Sequence, residues 1–216
     1  MLVVIEGVDG SGKQTQTAKL YERLLKEGRD VRKIQFPNYE SETSALVKMY
    51  LGGVFGDKPE DVNPYVASSF YAVDRIGSYL MDWKKDYEKG TLILSDRYTT
   101  SNAVHQAGKL PGGARDGFLD WLFDYEYRLL SLPKPDLVIF LDMPFEHGRR
   151  LISNRSNKIT GGMQKDIHEN DAMHIQSAYE NALYVAKKYG WKIISCVEDG
   201  KVRSIDSIHQ EIYSLI

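Results

Sequence analysis

Near the start of the chain stands Gly7-Val8-Asp9-Gly10-Ser11-Gly12-Lys13-Gln14-Thr15, a stretch that combines the parts of a phosphate cradle. The glycines let backbone N–H groups turn inward around an anion, a helix start adds partial positive charge, and Lys13 carries a full charge to the β- and γ-phosphates. An apolar run, Leu2 to Ile5, precedes the loop, and a helical pattern, Thr17-Ala18-Lys19-Leu20-Tyr21, follows it. Strand, glycine loop and helix therefore come in the order that phosphate binding requires. One position departs from the pattern: the Ser or Thr expected after the lysine for a Mg²⁺ contact is Gln14, with Thr15 one place late. The metal's donors stay open between the amide oxygen of Gln14 and the carboxylates of Asp9 and Asp96 acting through water, because Mg²⁺ keeps several waters and takes few protein ligands.

A second chemical cluster closes another apolar run, Leu92-Ile93-Leu94-Ser95-Asp96-Arg97-Tyr98. An acid and an arginine at the carboxyl edge of a sheet suit Mg²⁺ and phosphate. The glycine loop alone does not separate kinases from GTPases, motors or nucleotide-regulated switches. A guanine reader needs Asn-Lys-x-Asp, and the nearest stretch, Asn157-Lys158-Ile159-Thr160, lacks the acid.

The elements that must position these residues alternate. Strand-length runs at Leu2 to Ile5, Val31 to Phe36, Leu92 to Leu94, Leu137 to Leu141 and Lys192 to Cys196 are separated by amphipathic segments near 15–27, 64–88, 114–131, 145–155 and 171–189, with a last one near 204–216. That alternation predicts an α/β fold, a parallel sheet of about five strands with helices on both faces and ligands at the carboxyl ends of the strands. Residues 52–64 read as a loop before a helix. Residues 156–170, polar and containing Gly161-Gly162, read as a lid within about 150–170.

Composition sets outer bounds. At 216 residues, the chain fits one domain spanning 1–216. Its 42% hydrophobic and 27% charged residues are those of a globular protein. With 28 basic and 30 acidic residues, net charge −2, it lacks the basic excess of a nucleic-acid binder. No apolar span approaches the roughly 20 residues that a membrane helix needs, and no basic leader precedes the first strand, so a cytoplasmic location is expected. The single Cys196 follows Ile193 and Ile194 and reads as a small buried hydrophobe.

Taken together, Glu6 to Lys13, Phe36-Pro37, Tyr71-Ala72-Val73-Asp74-Arg75, Asp96-Arg97-Tyr98 with Ser101-Asn102 and Gln106, and Pro135-Asp136 leading to Leu141-Asp142 resemble the thymidylate kinase family from end to end. The resemblance implies the P-loop NTPase fold, ATP and Mg²⁺ as cofactors, dTMP as acceptor, dTDP and ADP as products on the route to dTTP, and a homodimer packed across a two-fold axis. It also implies an acceptor site built from Asp9, Phe36, Arg75, Arg97 and Asn102, with Tyr71 in place of the family's usual Phe as the ring that stacks on the base. His105 stands where many relatives have Tyr.

The chemistry of those residue types agrees independently: a flat ring suits a pyrimidine, arginine offers forked donors, and Asn meets both donor and acceptor edges. Relatives with Gly at the position of Gly10 deliver a lid arginine to the transferring phosphate. Here Ile167 occupies one expected arginine position, which leaves Arg155, Lys158 and Lys165, with Arg155 favoured for its fork. Two rival readings remain at this stage: a kinase for another pyrimidine monophosphate or a deoxynucleoside, and a non-catalytic nucleotide-binding relative.

Overall fold

The computed structural model describes residues 1–152 and 172–216. At its centre lies β1 (Leu2–Glu6), buried along its whole length. A strand covered on both faces reads as a continuous apolar run, which is what Leu-Val-Val-Ile is. β2 (Val31–Gln35), β3 (Leu92–Asp96), β4 (Leu137–Asp142) and β5 (Lys192–Ser195) pair with it or beyond it, all parallel, in the order β2-β3-β1-β4-β5. The two-residue period of β1 divides the core. Val3 and Ile5 pack with Leu20 and Leu24 of α1 (Lys13–Lys26), whereas Leu2 and Val4 pack with Tyr79, Trp83 and Tyr98 on the other face.

The remaining helices are α2 (Ala45–Leu51), α3 (Pro64–Ser78), α4 (Lys84–Lys89), α5 (Thr99–His105), α6 (Gly112–Phe123), α7 (Phe145–Ile152), α8 (Ala172–Lys188) and α9 (Ile205–Tyr213). β6 (Val197–Glu198) and β7 (Lys201–Val202) form a small antiparallel hairpin.

The expected five-stranded parallel sheet is present, and the strand expectations shift by no more than two residues at an end. The segments expected near 64–88 and 114–131 are helical throughout, each with a π-helical stretch inside it. α3 runs into α4 through a wide π-turn over Tyr79–Trp83, and α6 continues into a similar turn over Asp124–Leu129. α5 went unrecognised because seven residues beginning Thr-Thr-Ser-Asn show neither periodicity nor strong helix propensity. Tertiary contact holds it instead: the buried amide of Asn181 on α8 donates to the carbonyls of Ala103 (2.8 Å) and Val104 (2.7 Å). The β6–β7 hairpin had a legible signal in Asp199-Gly200, whose φ values of 49° and 71° suit a tight turn between antiparallel strands.

The strand order places a switch point between β1 and β3, whose outgoing connections cover opposite faces of the sheet. Ligand crevices form at such points, beyond the carboxyl ends of the strands. Ile5 is in register with Asp96, so the glycine loop and the Asp96-Arg97 pair leave the sheet at the same level. Residues 153–171, which carry Arg155, Lys158, Lys165 and Ile167, lie outside the described residues. No described helix is long and apolar enough to cross a membrane.

Candidate active site

Between β1 and α1 the loop turns through two left-handed glycines, Gly10 (φ 80°) and Gly12 (φ 83°). At Gly10 the requirement is steric as well, since a Cβ there would lie 2.3 Å from the carbonyl oxygen of Gly148 on α7. α7 thus seats directly on the loop, backbone against backbone. Gly12 caps α1 without a side-chain hydrogen bond. The Lys13 ammonium folds back over the loop, 3.1 Å from the carbonyl oxygen of Val8 and 3.6 Å from Asp9 Oδ1. Ser11 is buried, and its hydroxyl has no hydrogen-bond partner among the described residues. A phosphate oxygen is the kind of acceptor that would satisfy it.

Arg97 adopts a left-handed backbone (φ 67°), uncommon outside glycine, and is held there by its N–H on the Ile5 carbonyl (3.2 Å) and by the Ser95 hydroxyl on its own carbonyl. Its guanidinium donates to Asp9, to Ser101 Oγ (3.1 Å) and to Nε2 of His105 (3.1 Å), and lies 3.8 Å from the fully buried Glu6. Arginine cannot accept, so Nε2 is the accepting nitrogen of His105. Glu6 in turn accepts from Thr100 (2.6 Å), from Ser101 and from the Gly7 N–H (3.0 Å). Burial alone would lower the guanidinium's pKa, but Asp9, then Glu6 and Asp96, raise it above its ordinary value, so the cation is permanent.

On the far wall, α3 presents Tyr71 and Arg75 one turn apart on one face. Tyr71 meets Tyr50 edge to face at 6.2 Å. Asp74 faces the other way, accepting from the Asn38 N–H (2.9 Å) and the Thr43 hydroxyl (2.7 Å), so it latches the segment that follows Phe36 and the cis Phe36–Pro37 bond. Burial pushes its carboxyl above the usual range despite those donors. Asn102 donates to the carbonyl of Ser68 (3.3 Å).

These walls enclose a cleft of about 340 Å³. Of the residues expected from sequence, Asp9, Gln14, Phe36, Tyr71, Arg75, Asp96, Arg97, Asn102 and His105 all line it. Gly7, Val8, Gly10, Ser11, Gly12 and Lys13 form the adjoining loop, and Thr15 sits exposed on α1 away from the lining. Gln14, not Thr15, therefore faces the cleft. Sequence reasoning missed Tyr39, an aromatic two places past Pro37, and the two buried carboxylates Glu6 and Glu126 that grip the arginines. Among the described residues, no group of three or more His, Cys, Asp or Glu is arranged to hold a metal ion.

A parallel sheet in this order, with a glycine loop opening α1 from its central strand and an acid–arginine pair ending the neighbouring strand, defines a nucleotide-binding protein of the P-loop NTPase fold. The family model described as Thymidylate kinase matches residues 5–212. Similar proteins include the thymidylate kinase of Mycobacterium tuberculosis, 32% identical over 80% of this chain and 79% of that protein. The thymidylate kinase of Homo sapiens is 27% identical over 98% of this chain and 87% of its own length, and a probable thymidylate kinase of Thermococcus onnurineus is 27% identical over 100% and 97%. The chain belongs to the thymidylate kinase family and is a phosphotransferase.

Proposed function

We infer that the chain transfers the γ-phosphoryl group of ATP to the 5′-phosphate of dTMP, giving dTDP and ADP. The observation that carries this reading is a cleft in which a permanent cation, Arg97, engaged by Asp9 at the edge of the glycine loop, shares the lining with Tyr71, Arg75 and Asn102. Such a cleft has an anion seat at one end and a flat, forked polar surface at the other, matching the two ends of a pyrimidine monophosphate.

An oxygen of the acceptor phosphate is already anionic at neutral pH, so no covalent enzyme intermediate and no obligatory base are required. The chain's task is alignment, charge neutralisation and exclusion of water. Arg97 holds the acceptor phosphate, Lys13 neutralises the transferring group, and Asp9, engaged by Arg97 and 3.6 Å from Lys13, keeps the two cations in register. The donor set fits Mg²⁺: Asp96 Oδ1 is buried without a hydrogen-bond partner among the described residues, and Asp9 and Gln14 border the same cleft. When bound there, Mg²⁺ supplies charge neutralisation at the ATP phosphates.

Tyr71 stacks on the base, Asn102 and His105 border it and the sugar, and Phe36 closes the wall beside them. Steady-state rates with a panel of monophosphates test the assignment: dTMP is expected to exceed dCMP and dGMP clearly, and dUMP by about 1 to 3 kcal/mol in transition-state free energy, the worth of one methyl contact. Equal specificity constants for dTMP and dCMP would overturn the thymidylate assignment and leave the kinase class standing.

The lid near 150–170 and its cation belong to the same proposal. α7, the described element that precedes this segment, seats on Gly10 through the Gly148 backbone. Arg155→Ala is expected to depress kcat far more than ATP affinity, with Lys158→Ala and Lys165→Ala milder, as for a contact completed in the transition state. A silent Arg155→Ala beside an inactive lysine variant would pass the role to that lysine. We further propose a single cytoplasmic domain that pairs as a homodimer. Val66 and Val73, seven residues apart on α3 and exposed, support a helical face for that pairing, which sedimentation analysis would test.

A further inference from the structure

Two buried carboxylates serve the cleft, each behind one arginine. Glu6 lies behind Arg97, and Glu126, in the wide turn after α6, lies behind Arg75. Three consecutive hydroxyls at the start of α5 brace them: Thr100 and Ser101 donate to Glu6, and Thr99 donates to Glu126 Oε2 at 2.7 Å. Arg75 gives Nε to Glu126 Oε2 (2.6 Å) and Nη2 to Oε1 (2.5 Å). Both partners are almost fully removed from solvent, yet only Arg75 lines the cleft. The fork used on Glu126 is one edge of a planar, donor-only group.

Nη1 takes no part in the bonds to Glu126, and it can donate but never accept. We propose that Glu126, braced by Thr99, is a positioning residue that locks Arg75 with Nη1 toward the base, so that the site selects pyrimidines with a 4-carbonyl over those with a 4-amino group. The inference rests on the reading of Arg75 as a base-contacting residue.

Stability alone gives a weak account of this pair. A buried ion pair contributes little beyond what apolar side chains of the same volume would, whereas a fixed orientation is what it uniquely supplies. Without Glu126, a long arginine side chain beside a cleft has several rotamers and could turn another edge toward the ligand.

The test compares dTMP with 5-methyl-dCMP, which differ in the 4-substituent and the N3 proton it dictates, while the methyl and sugar contacts stay constant. The readout is the ratio of their kcat/KM values within each variant. Both substrates meet the same folded population, so a loss of folded protein cancels from that ratio.

Glu126→Gln is expected to lower the ratio at least about tenfold, with KM for ATP unchanged, and Thr99→Val to lower it by about threefold. Arg75→Ala should lower it at least as far as Glu126→Gln. If Arg75→Ala collapses the ratio while Glu126→Gln and Thr99→Val keep the wild-type value, the positioning role is overturned and Arg75 still reads the base. If Arg75→Ala itself keeps the ratio, the base-reading assignment fails and takes this inference with it. Should Glu126→Gln give no active protein, Thr99→Val decides alone, and an unchanged ratio there overturns the proposal.

Discussion

Lys13→Ala lowers phosphoryl transfer by at least about two orders of magnitude, because a preorganised cation on a developing charge is worth several kcal/mol in a water-excluded site. The structure sharpens the reason. Lys13 is buried, its ammonium is tied back across the loop to the carbonyl of Val8, and Asp9 stands 3.6 Å away, so the charge is in place before the nucleotide arrives. A lysine waving in solvent would lose that advantage to rotamer entropy. The measurement is single-turnover transfer from ATP to dTMP at saturating substrates, with circular dichroism as the check on folding. Turnover within a few-fold of wild type in a folded Lys13→Ala protein would take the glycine loop out of the chemistry.

Arg97→Ala has the second large effect, and it falls on the acceptor. The specificity constant for dTMP is expected to drop by roughly two orders of magnitude or more, because a charge-assisted forked contact to phosphate disappears from a largely buried seat. ATP affinity, read by equilibrium titration, should stay within a few-fold. The substitution also leaves Glu6 buried beside a cavity with one fewer cation, so the melting temperature should fall.

Arg97→Lys separates the two consequences. It restores the charge near Glu6 and Asp9 and most of the stability, but a point charge on a flexible stem does not reproduce the fork that meets Asp9, Ser101 and His105 together. A fully active Arg97→Lys protein would show that charge alone suffices. Loss of ATP affinity with dTMP affinity untouched would mean that donor and acceptor ends had been exchanged.

Much of this was readable from the chain by itself. The continuous apolar run of β1 announces a central strand because burial on both faces leaves no position for a polar residue until Glu6. The glycines of the loop are legible because only glycine takes φ near 80° without strain. Each of these is a local property: it depends on a residue and its near neighbours in sequence, and so it is written in the sequence. The Asp-Arg pair at the end of β3 was legible for the same reason, since strand, acid and arginine are contiguous.

What only the tertiary structure decided are the contacts between distant segments. That Asp9 and Arg97 form an ion pair follows from the pairing of β1 with β3, and nothing in either segment names the other. Glu126 sits between Tyr125 and Tyr127 after α6, where its sequence context carries no sign that Arg75, 51 positions earlier, is its partner. A buried carboxylate is stable only with a cation and donors around it, and those donors arrive from α3 and α5 through the fold. The seat of α7 on Gly10 is of the same kind: an open glycine position reads as loop freedom in the sequence, and only the packed structure turns it into a space that the Gly148 backbone already occupies.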